Sequence, residues 1–361
     1  MKILSILIVA ILFMACQSTT KQKVENEERE KFEPAYGECI LFAGQDLGAV
    51  GGVDGYTDGY MNYFDTPGGF TMYTNLRTGD VSYGNIYRGL DGIWDTDNWG
   101  SGDCNMSMQI NDLDFKHMAL AIGFELVNHE KAVARGEFDN MIDSLGNWFI
   151  DLGERPVFLR IGYEFDGHEW NHYDRESYIA AFKHIRVRLD SLGVENVAYV
   201  WQSKGWGSDY DELENWYPGD EYVDWCGYSF FSRGEEAQPM LDFARDRKKP
   251  VFIAEATPMF DDENGNTLEC DLDNPDQAKK AWDEWFTSLF KTIDKNPDII
   301  KAVSYINVNW RVQDMWQNPP FSMCDSRMQA SDYVSRYWQK ETSKEKYLKA
   351  SPMLWKNLRD N

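Results

Sequence analysis

Short apolar runs alternate with amphipathic segments along the chain from residue 37 onward. Each run has the continuous or alternating apolar character that is typical of a β-strand buried on one or both faces. Eight runs predict strands at Cys39–Ala43, Phe70–Tyr73, Met118–Glu125, Pro156–Glu164, Asn196–Gln202, Tyr222–Ser229, Pro250–Glu255 and Ala302–Val308.

Amphipathic helices are predicted between several of these strands. Asp174 can cap one helix and Asp276 another, because apolar residues follow each of them at every third or fourth position. Eight strands that alternate with helices predict an α/β fold, a single-domain (β/α)8 TIM barrel. Long barrel-top loops are expected in the Gly- and Asp-rich stretch 44–118. A doubly wound open sheet is the alternative, but the sequence lacks its GxGxxG or P-loop signature.

The N-terminus has the pattern of a targeting signal. Lys2 precedes an apolar run, residues 3–14, which is too short to span a bilayer but suits a secretory signal. Ala15 and Cys16 at its end resemble a bacterial lipobox, with an ordinary signal peptide as the alternative. The mature protein is then expected outside the cytoplasm, held on a bacterial membrane only by lipid on Cys16. The chain divides into a lipoprotein signal peptide over 1–15, a flexible tether over 16–34 and a catalytic domain over 35–361.

Composition excludes several partners. The chain has 36 basic and 60 acidic residues, a formal charge of −24, so nucleic acid is not an expected ligand.

No CxxC, HExxH or zinc-type His spacing occurs, and we expect no metal, no cofactor and a monomer. The acidic stretch Asp261–Asn266 lacks EF-hand spacing and is interpreted as a turn. Aromatic residues form 15% of the chain, which indicates that some contact a ligand.

Five cysteines remain beyond Cys16 in a compartment that permits disulfides. Cys39 and Cys226 lie in apolar runs and are expected to be buried thiols. Polar loops hold three others, among which one bridge of undetermined pairing is expected: Cys104, Cys270 and Cys324.

Two glutamates end apolar strands, at the barrel face where catalytic groups collect. In the fourth run, strand alternation directs Arg160 and Glu164 into the barrel mouth. Glu255 closes the seventh run after four apolar residues. A buried carboxylate is costly unless it is paired or solvated, so a salt bridge to Arg160 is the structural alternative for either one. Strands four and seven face each other across a barrel, and this favours a shared site.

Glycoside cleavage requires such a pair. One carboxylic acid must stay protonated to donate to the leaving oxygen, while the other, about 5 Å from the first, must be ionised to attack the anomeric carbon. Arg160 can hold one carboxylate ionised. Tyr228, on the predicted inward side of the sixth strand, can donate a hydrogen bond to the same nucleophile, or it can be a core residue.

Aromatic residues near strand ends are candidate sugar platforms, because pyranose rings stack on indoles. Trp170, Trp201 and Trp310 follow or end the fourth, fifth and eighth strands. Further substrate contacts are predicted at Gln45, Asp46, Tyr73 and Trp99.

These residues also resemble a known family. Arg160-Ile-Gly-Tyr-Glu164 is similar to the acid/base strand of glycoside hydrolase family 26, residues 216–228 to its sixth strand and lead-in, and residues 249–255 to its nucleophile strand. Segments 41–46, 51–60 and 160–174 resemble the β-1,3-xylanase branch. The resemblance runs from residue 37 to about residue 335 in order and spacing.

The resemblance implies a (β/α)8 barrel and retaining hydrolysis, with Glu164 as acid/base and Glu255 as nucleophile. Tyr163 stands where β-mannanases of this family usually have His, which favours β-1,3-xylan over mannan. We expect an endo-β-1,3-xylanase that acts on a neutral polysaccharide. The alternatives are a β-mannanase or other endo-glycanase of this family, and a non-catalytic surface glycan-binding lipoprotein.

Overall fold

Eight parallel strands close into a barrel. The computed structural model describes residues 29–231, 237–261, 267–268 and 270–360. The barrel strands are β1 (Cys39–Gly44), β2 (Gly69–Asn75), β3 (Ala119–Glu125), β4 (Val157–Ile161), β5 (Val197–Ser203), β6 (Trp225–Phe230), β7 (Val251–Ala256) and β8 (Ile300–Ile306). They pair in chain order, and β8 returns to β1 with Ala302 in register with Ile40. The predicted (β/α)8 fold is confirmed.

Helices surround the barrel. They are α1 (Leu47–Val50), α2 (Met106–Ile110), α3 (Glu130–Ala134), α4 (Asp139–Asp151), α5 (Arg175–Ser191), α6 (Tyr210–Trp216), α7 (Gln238–Asp246), α8 (Pro275–Ala281), α9 (Thr287–Lys295), α10 (Asp332–Thr342) and α11 (Leu354–Arg359). A π-helical turn, Trp282–Phe286, joins α8 to α9. Single 3₁₀ turns lie at Tyr60–Asn62, Leu113–Phe115, Trp310–Val312, Asp314–Trp316, Phe321–Met323 and Met328–Ala330. Two-residue strands occur at Val81–Ser82, Asn85–Ile86, Phe260–Asp261, Thr267–Leu268 and Tyr347–Leu348.

Side-chain caps determine where two of the predicted helices begin. The Asp174 carboxylate accepts a hydrogen bond from the backbone N–H of Ser177 at 3.1 Å, which starts α5 as predicted. The predicted cap at Asp276 is wrong, because Asn274 accepts from the N–H groups there and Pro275 takes the first helical position. Asp276 lies in the first turn, where its negative charge interacts favourably with the positive end of the helix dipole.

The barrel interior is apolar and separate from the core between strands and helices. Aromatic side chains fill it, with Phe158 packed edge-on against Phe42 and Trp225. Phe32 and the C-terminal helix α11 close the N-terminal end of the barrel. That end is therefore a packed floor, and the opposite end is the mouth.

Two strand boundaries differ from the prediction by three residues, and the others differ by two at most. β4 ends at Ile161, three residues before Glu164, and β6 begins at Trp225 instead of Tyr222. Both Gly162 and Glu164 have positive φ angles, +54° and +52°, so the chain leaves the strand conformation before it reaches the glutamate. A strand running through Glu164 was thus a wrong prediction, and a turn presents this side chain instead.

The cysteines follow the sequence expectation. Cys270 and Cys324 form a disulfide, while Cys39, Cys104 and Cys226 are free and buried among the described residues. No helix in the described part of the chain is long and apolar enough to cross a membrane. The predicted signal peptide, Cys16 and most of the tether lie outside the described residues, as do residues 262–266 of the acidic turn.

Candidate active site

A tight turn after β4 presents Glu164 to the barrel mouth. A Cβ on Gly162 would lie 2.5 Å from the Tyr178 ring, so only glycine fits the first step of the turn. The Asn171 side-chain amide donates to the carbonyls of Tyr163 and Glu164, at 2.9 and 2.8 Å. These bonds hold a non-glycine residue in a left-handed conformation, an arrangement that tends to occur at functional sites.

Glu164 is 7% exposed, and its carboxyl group accepts hydrogen bonds from two neutral donors. Ser229 Oγ donates to Oε1 at 2.6 Å, and Trp170 Nε1 donates to Oε2 at 2.9 Å. Burial and the negative charge of Glu255 raise the pKa of Glu164 to about 8, while both hydrogen bonds act in the opposite direction. Glu164 is therefore protonated at neutral pH.

Glu255, near the end of β7, has a cationic environment. Its Oε1 accepts from Arg160 Nη1 at 2.7 Å and from the Tyr73 hydroxyl at 2.9 Å. Burial alone would lower the pKa of Arg160, but Tyr73 and Glu255 beside it raise that pKa above its usual value. Arg160 is fully buried and keeps its charge, so it holds Glu255 as a carboxylate.

Gly123 on β3 makes room for this group. A Cβ there would lie 2.4 Å from the Tyr73 ring and 2.7 Å from Arg160 Nη2. The guanidinium lies 5.0 Å from the centroid of the Tyr73 ring and 5.2 Å from that of Tyr163. A glycine in the middle of an apolar strand is the sequence signal for such a close approach.

Two residues that the sequence analysis did not predict connect the glutamates. Gln202, inward-facing on β5, accepts from Arg160 Nη1 at 2.9 Å and donates to Ser229 Oγ at 3.1 Å. Ser229 lies in register with Glu255 on the adjacent strand. The signal was present in the alternation of β5, because Ala198 and Val200 line the barrel interior and residue 202 shares their face.

The prediction that Tyr228 donates to the nucleophile is wrong. Its side chain lies in the core between strands and helices, and its hydroxyl has no hydrogen-bond partner among the described residues. Trp225 faces the barrel interior, so the inward positions of β6 are the odd-numbered ones and the predicted inward set was out of phase by one residue. Tyr73, predicted as a substrate contact, donates the bond instead.

Two of the predicted tryptophan platforms are wrong. Trp201 is fully buried behind β5 and stacks on Phe165 with 4.4 Å between ring centroids. Trp310 is 2% exposed and donates to Ser326 Oγ near the disulfide. Both residues therefore stabilise the fold.

The other predicted platforms lie in loops at the mouth. Trp170 is 41% exposed beside Glu164. Trp206, which the sequence analysis did not predict as a site residue, packs near it with 6.2 Å between ring centroids. Trp99 is only 8% exposed and stacks on Tyr87 with 6.1 Å between ring centroids, so the prediction that it offers a stacking surface to the substrate is wrong. Trp170 is thus the indole best placed to contact a sugar next to the acid.

The predicted contacts after β1 are both buried. Asp46 caps α1 by accepting from Ala49 N–H at 2.9 Å, and its other oxygen accepts from Gln313 Nε2 at 3.0 Å. Burial raises the pKa of Asp46 to about 6. These bonds give Asp46 a structural role in the loop, and Gln45 beside it stays a predicted contact.

One protonated and one ionised carboxyl group therefore meet at the mouth of a parallel barrel. The protonated acid can donate to a leaving oxygen, and the arginine-bound carboxylate can attack carbon. This combination of fold and site is that of a glycoside hydrolase.

Comparison with known proteins agrees with this class. The sequence profile of glycosyl hydrolase family 26 matches residues 117–312, a segment that contains both glutamates. The β-1,3-xylanase TXYA of a Vibrio species is 30% identical over 348 residues, which cover 91% of this chain and 69% of that protein. A β-1,3-xylanase of an Alcaligenes species is 29% identical over 332 residues, covering 88% and 66%. The chain thus spans about two thirds of the length of these relatives, and it belongs to glycosyl hydrolase family 26.

Solved structures share the fold. GH26C from a Muricauda species superposes with a TM-score of 0.56 at 16% identity, covering 89% of this chain and 90% of that one. The β-mannanase BoMan26A of Bacteroides ovatus has a TM-score of 0.55, also at 16% identity, with 87% and 91% covered. At this identity the likeness concerns the architecture alone.

Proposed function

We propose that the protein is a retaining endo-β-1,3-xylanase, with Glu164 as acid/base and Glu255 as nucleophile. The observation that carries the proposal is the contrast between the two carboxyl groups. Glu164 has neutral donors and a raised pKa, whereas Glu255 has a buried arginine. Their environments separate the roles that double displacement assigns.

In the first step the proton of Glu164 moves to the glycosidic oxygen while Glu255 attacks the anomeric carbon. We assign the attack to Oε2, because Arg160 and Tyr73 both bond Oε1. The bond between the anomeric carbon and the glycosidic oxygen breaks, and its electron pair stays on the oxygen. The leaving sugar departs as an alcohol, and an ester to Glu255 forms.

In the second step Glu164, now a carboxylate, takes a proton from water. The water oxygen attacks the anomeric carbon, the ester bond breaks, and Glu255 returns as a carboxylate. The pKa of Glu164 falls between the steps, because the ester removes the negative charge that helps to raise it. The product keeps the configuration of the substrate.

The substrate assignment rests on the relatives and on one residue. Both β-1,3-xylanases align with about nine tenths of the chain. Tyr163, where β-mannanases of the family usually have His, packs edge-on against Tyr73 and flanks Arg160. An anionic chain with an exposed Trp170 beside the acid suits a neutral polysaccharide.

A panel of β-1,3-xylan, β-1,4-xylan and β-mannan tests the proposal. We expect release of reducing ends from β-1,3-xylan above the other two, with the β-anomer as the first product by NMR. Preference for mannan would overturn the substrate, and a first α-anomer would overturn retention. Binding of a glycan without hydrolysis would identify a non-catalytic binding lipoprotein instead.

We also propose that the enzyme is lipid-anchored outside the cytoplasm through Cys16. The support is the sequence of residues 2–16, a short apolar run that ends in Ala-Cys. Expression with a labelled fatty acid should give a labelled wild-type protein and an unlabelled Cys16→Ser variant. Label in both proteins would refute the anchor.

A further inference from the structure

A directed chain of hydrogen bonds joins the two glutamates through Arg160, Gln202 and Ser229. Its links are 2.7 Å from Arg160 Nη1 to Glu255, 2.9 Å from Arg160 Nη1 to Gln202 Oε1, 3.1 Å from Gln202 Nε2 to Ser229 Oγ and 2.6 Å from Ser229 Oγ to Glu164 Oε1. Gln202 and Ser229 are 0% and 3% exposed, so water does not compete freely for these bonds.

The direction of the chain is set at Arg160. A guanidinium has donors only, so the Gln202 oxygen must face it and the Gln202 nitrogen must face Ser229. Ser229 Oγ then accepts from that nitrogen, and its single hydrogen is left to point at Glu164. The arginine that holds Glu255 ionised therefore also turns the serine into a donor toward the other glutamate.

We propose that Gln202 and Ser229 are positioning residues that keep the proton affinity of Glu164 low enough for it to act as a base in the second step. The inference rests on the proposed function. Burial and a neighbouring carboxylate favour the protonated acid that the first step needs. A forced donor favours the carboxylate, which the second step needs.

Five groups that carry or can acquire charge act on Glu164 or contact its neighbours Glu255 and Trp170, and they stay in place in every variant below. They are Glu255 from β7, Asp166 from the loop after β4, Arg160 from β4, Tyr73 from β2 and Lys204 from the loop after β5. A displaced pH limb in a variant therefore reports the altered hydrogen bond.

The pH dependence of kcat/KM tests the proposal, because its alkaline limb reports the acid in the free enzyme. In Ser229→Ala we expect this limb to move up by about one pH unit. Gln202→Leu has a similar volume, adds no charge and removes the donor toward Ser229, so the Ser229 hydroxyl is no longer oriented and the limb should move in the same direction by less. Ser229→Thr keeps the hydroxyl and should restore the wild-type limb.

Ser304→Ala is the matched control. Ser304 is a buried hydroxyl of the same barrel, on β8, and pairs with Thr71 at 2.8 Å instead of with a carboxylate. Its limb should stay at the wild-type pH. An unmoved limb in Ser229→Ala, or an equal movement in Ser304→Ala, would overturn the proposal.

An infrared titration separates this proposal from the function it rests on. The protonated-carboxyl band of Glu164, identified by its loss in Glu164→Gln, needs no substrate. It should persist to higher pH in Ser229→Ala than in the wild type. A displaced band in a protein that cleaves no glycan would refute the hydrolase and retain the donor role. A fixed band in an active enzyme would refute the donor role alone.

Discussion

A buried arginine lies near each end of strand β4, and the two differ in what they bond. Arg155, just before the strand, lies at the barrel floor and donates to the carbonyls of Phe115 and Met118, at 2.9 and 2.6 Å. Arg160, in the strand at the mouth, donates to a carboxylate and to the Gln202 side chain. Burial lowers the pKa of Arg155 to about 10, whereas the neighbours of Arg160 raise its pKa.

The difference separates stability from catalysis within one strand. At the floor, an arginine donates to two backbone carbonyls from neighbouring segments, and this stabilises the closed barrel. At the mouth, an arginine controls the charge of a side chain that can react. A substitution that keeps the positive charge, such as Arg to Lys, should therefore preserve activity at the floor and reduce it at the mouth.

Removal of the proposed nucleophile is the strongest test of the mouth. In Glu255→Gln, hydrolysis should fall by about 10⁴-fold or more, because an amide cannot form the glycosyl ester. Reducing-end release measures the loss, and a melting curve similar to that of the wild type confirms folding. Substantial residual activity would remove Glu255 from the mechanism.

Parallel arginine substitutions compare the two ends directly. Arg160→Lys should lower kcat/KM by about 100-fold, since one ammonium cannot bond Glu255 and Gln202 in the fork geometry of a guanidinium. Arg155→Lys should keep kcat/KM within about twofold and lower the free energy of unfolding by about 1–3 kcal/mol. Equal kinetic losses in both variants would contradict the division between floor and mouth.

A pair of tyrosine substitutions sharpens the assignment of the second donor to Glu255. Tyr73→Phe removes a hydrogen bond to a carboxylate and should lower kcat/KM by about tenfold. Tyr228→Phe removes a hydroxyl without a partner among the described residues and should leave kcat/KM unchanged. The reverse ranking would return Tyr228 to the site.

The smallest expected effect is on stability. The pKa of Glu164 in the folded state is about 8, above the roughly 4.3 of an unfolded glutamate. Between these values the folded state holds a proton that the unfolded state lacks, so stability falls as pH rises. Glu164→Gln should melt close to the wild type near pH 4 and several degrees higher above pH 8, as calorimetry can measure. A constant difference across this range would contradict the raised pKa.

Local pattern was sufficient for the fold and for the two glutamates. All eight predicted runs contain or overlap the observed strands, because a buried strand must be apolar whatever surrounds it. Glu164 and Glu255 were found because a carboxylate that ends such a run is conspicuous. The hydrogen-bond partners of these glutamates were harder to predict from the sequence. Tyr73, Gln202 and Ser229 come from three other strands and meet the glutamates only after the barrel closes.

The sequence by itself determined the order of strands, the ends at which chemistry collects and the residues that can be acid and nucleophile. Tertiary structure decided which face of β6 turns inward, which tryptophans are exposed and how the donors around Glu164 are oriented. The physical reason is that apolar periodicity is a property of each segment, whereas the phase of a short strand is set by its neighbours. A hydrogen bond between strands depends on the position of both, and closure of the barrel supplies that position.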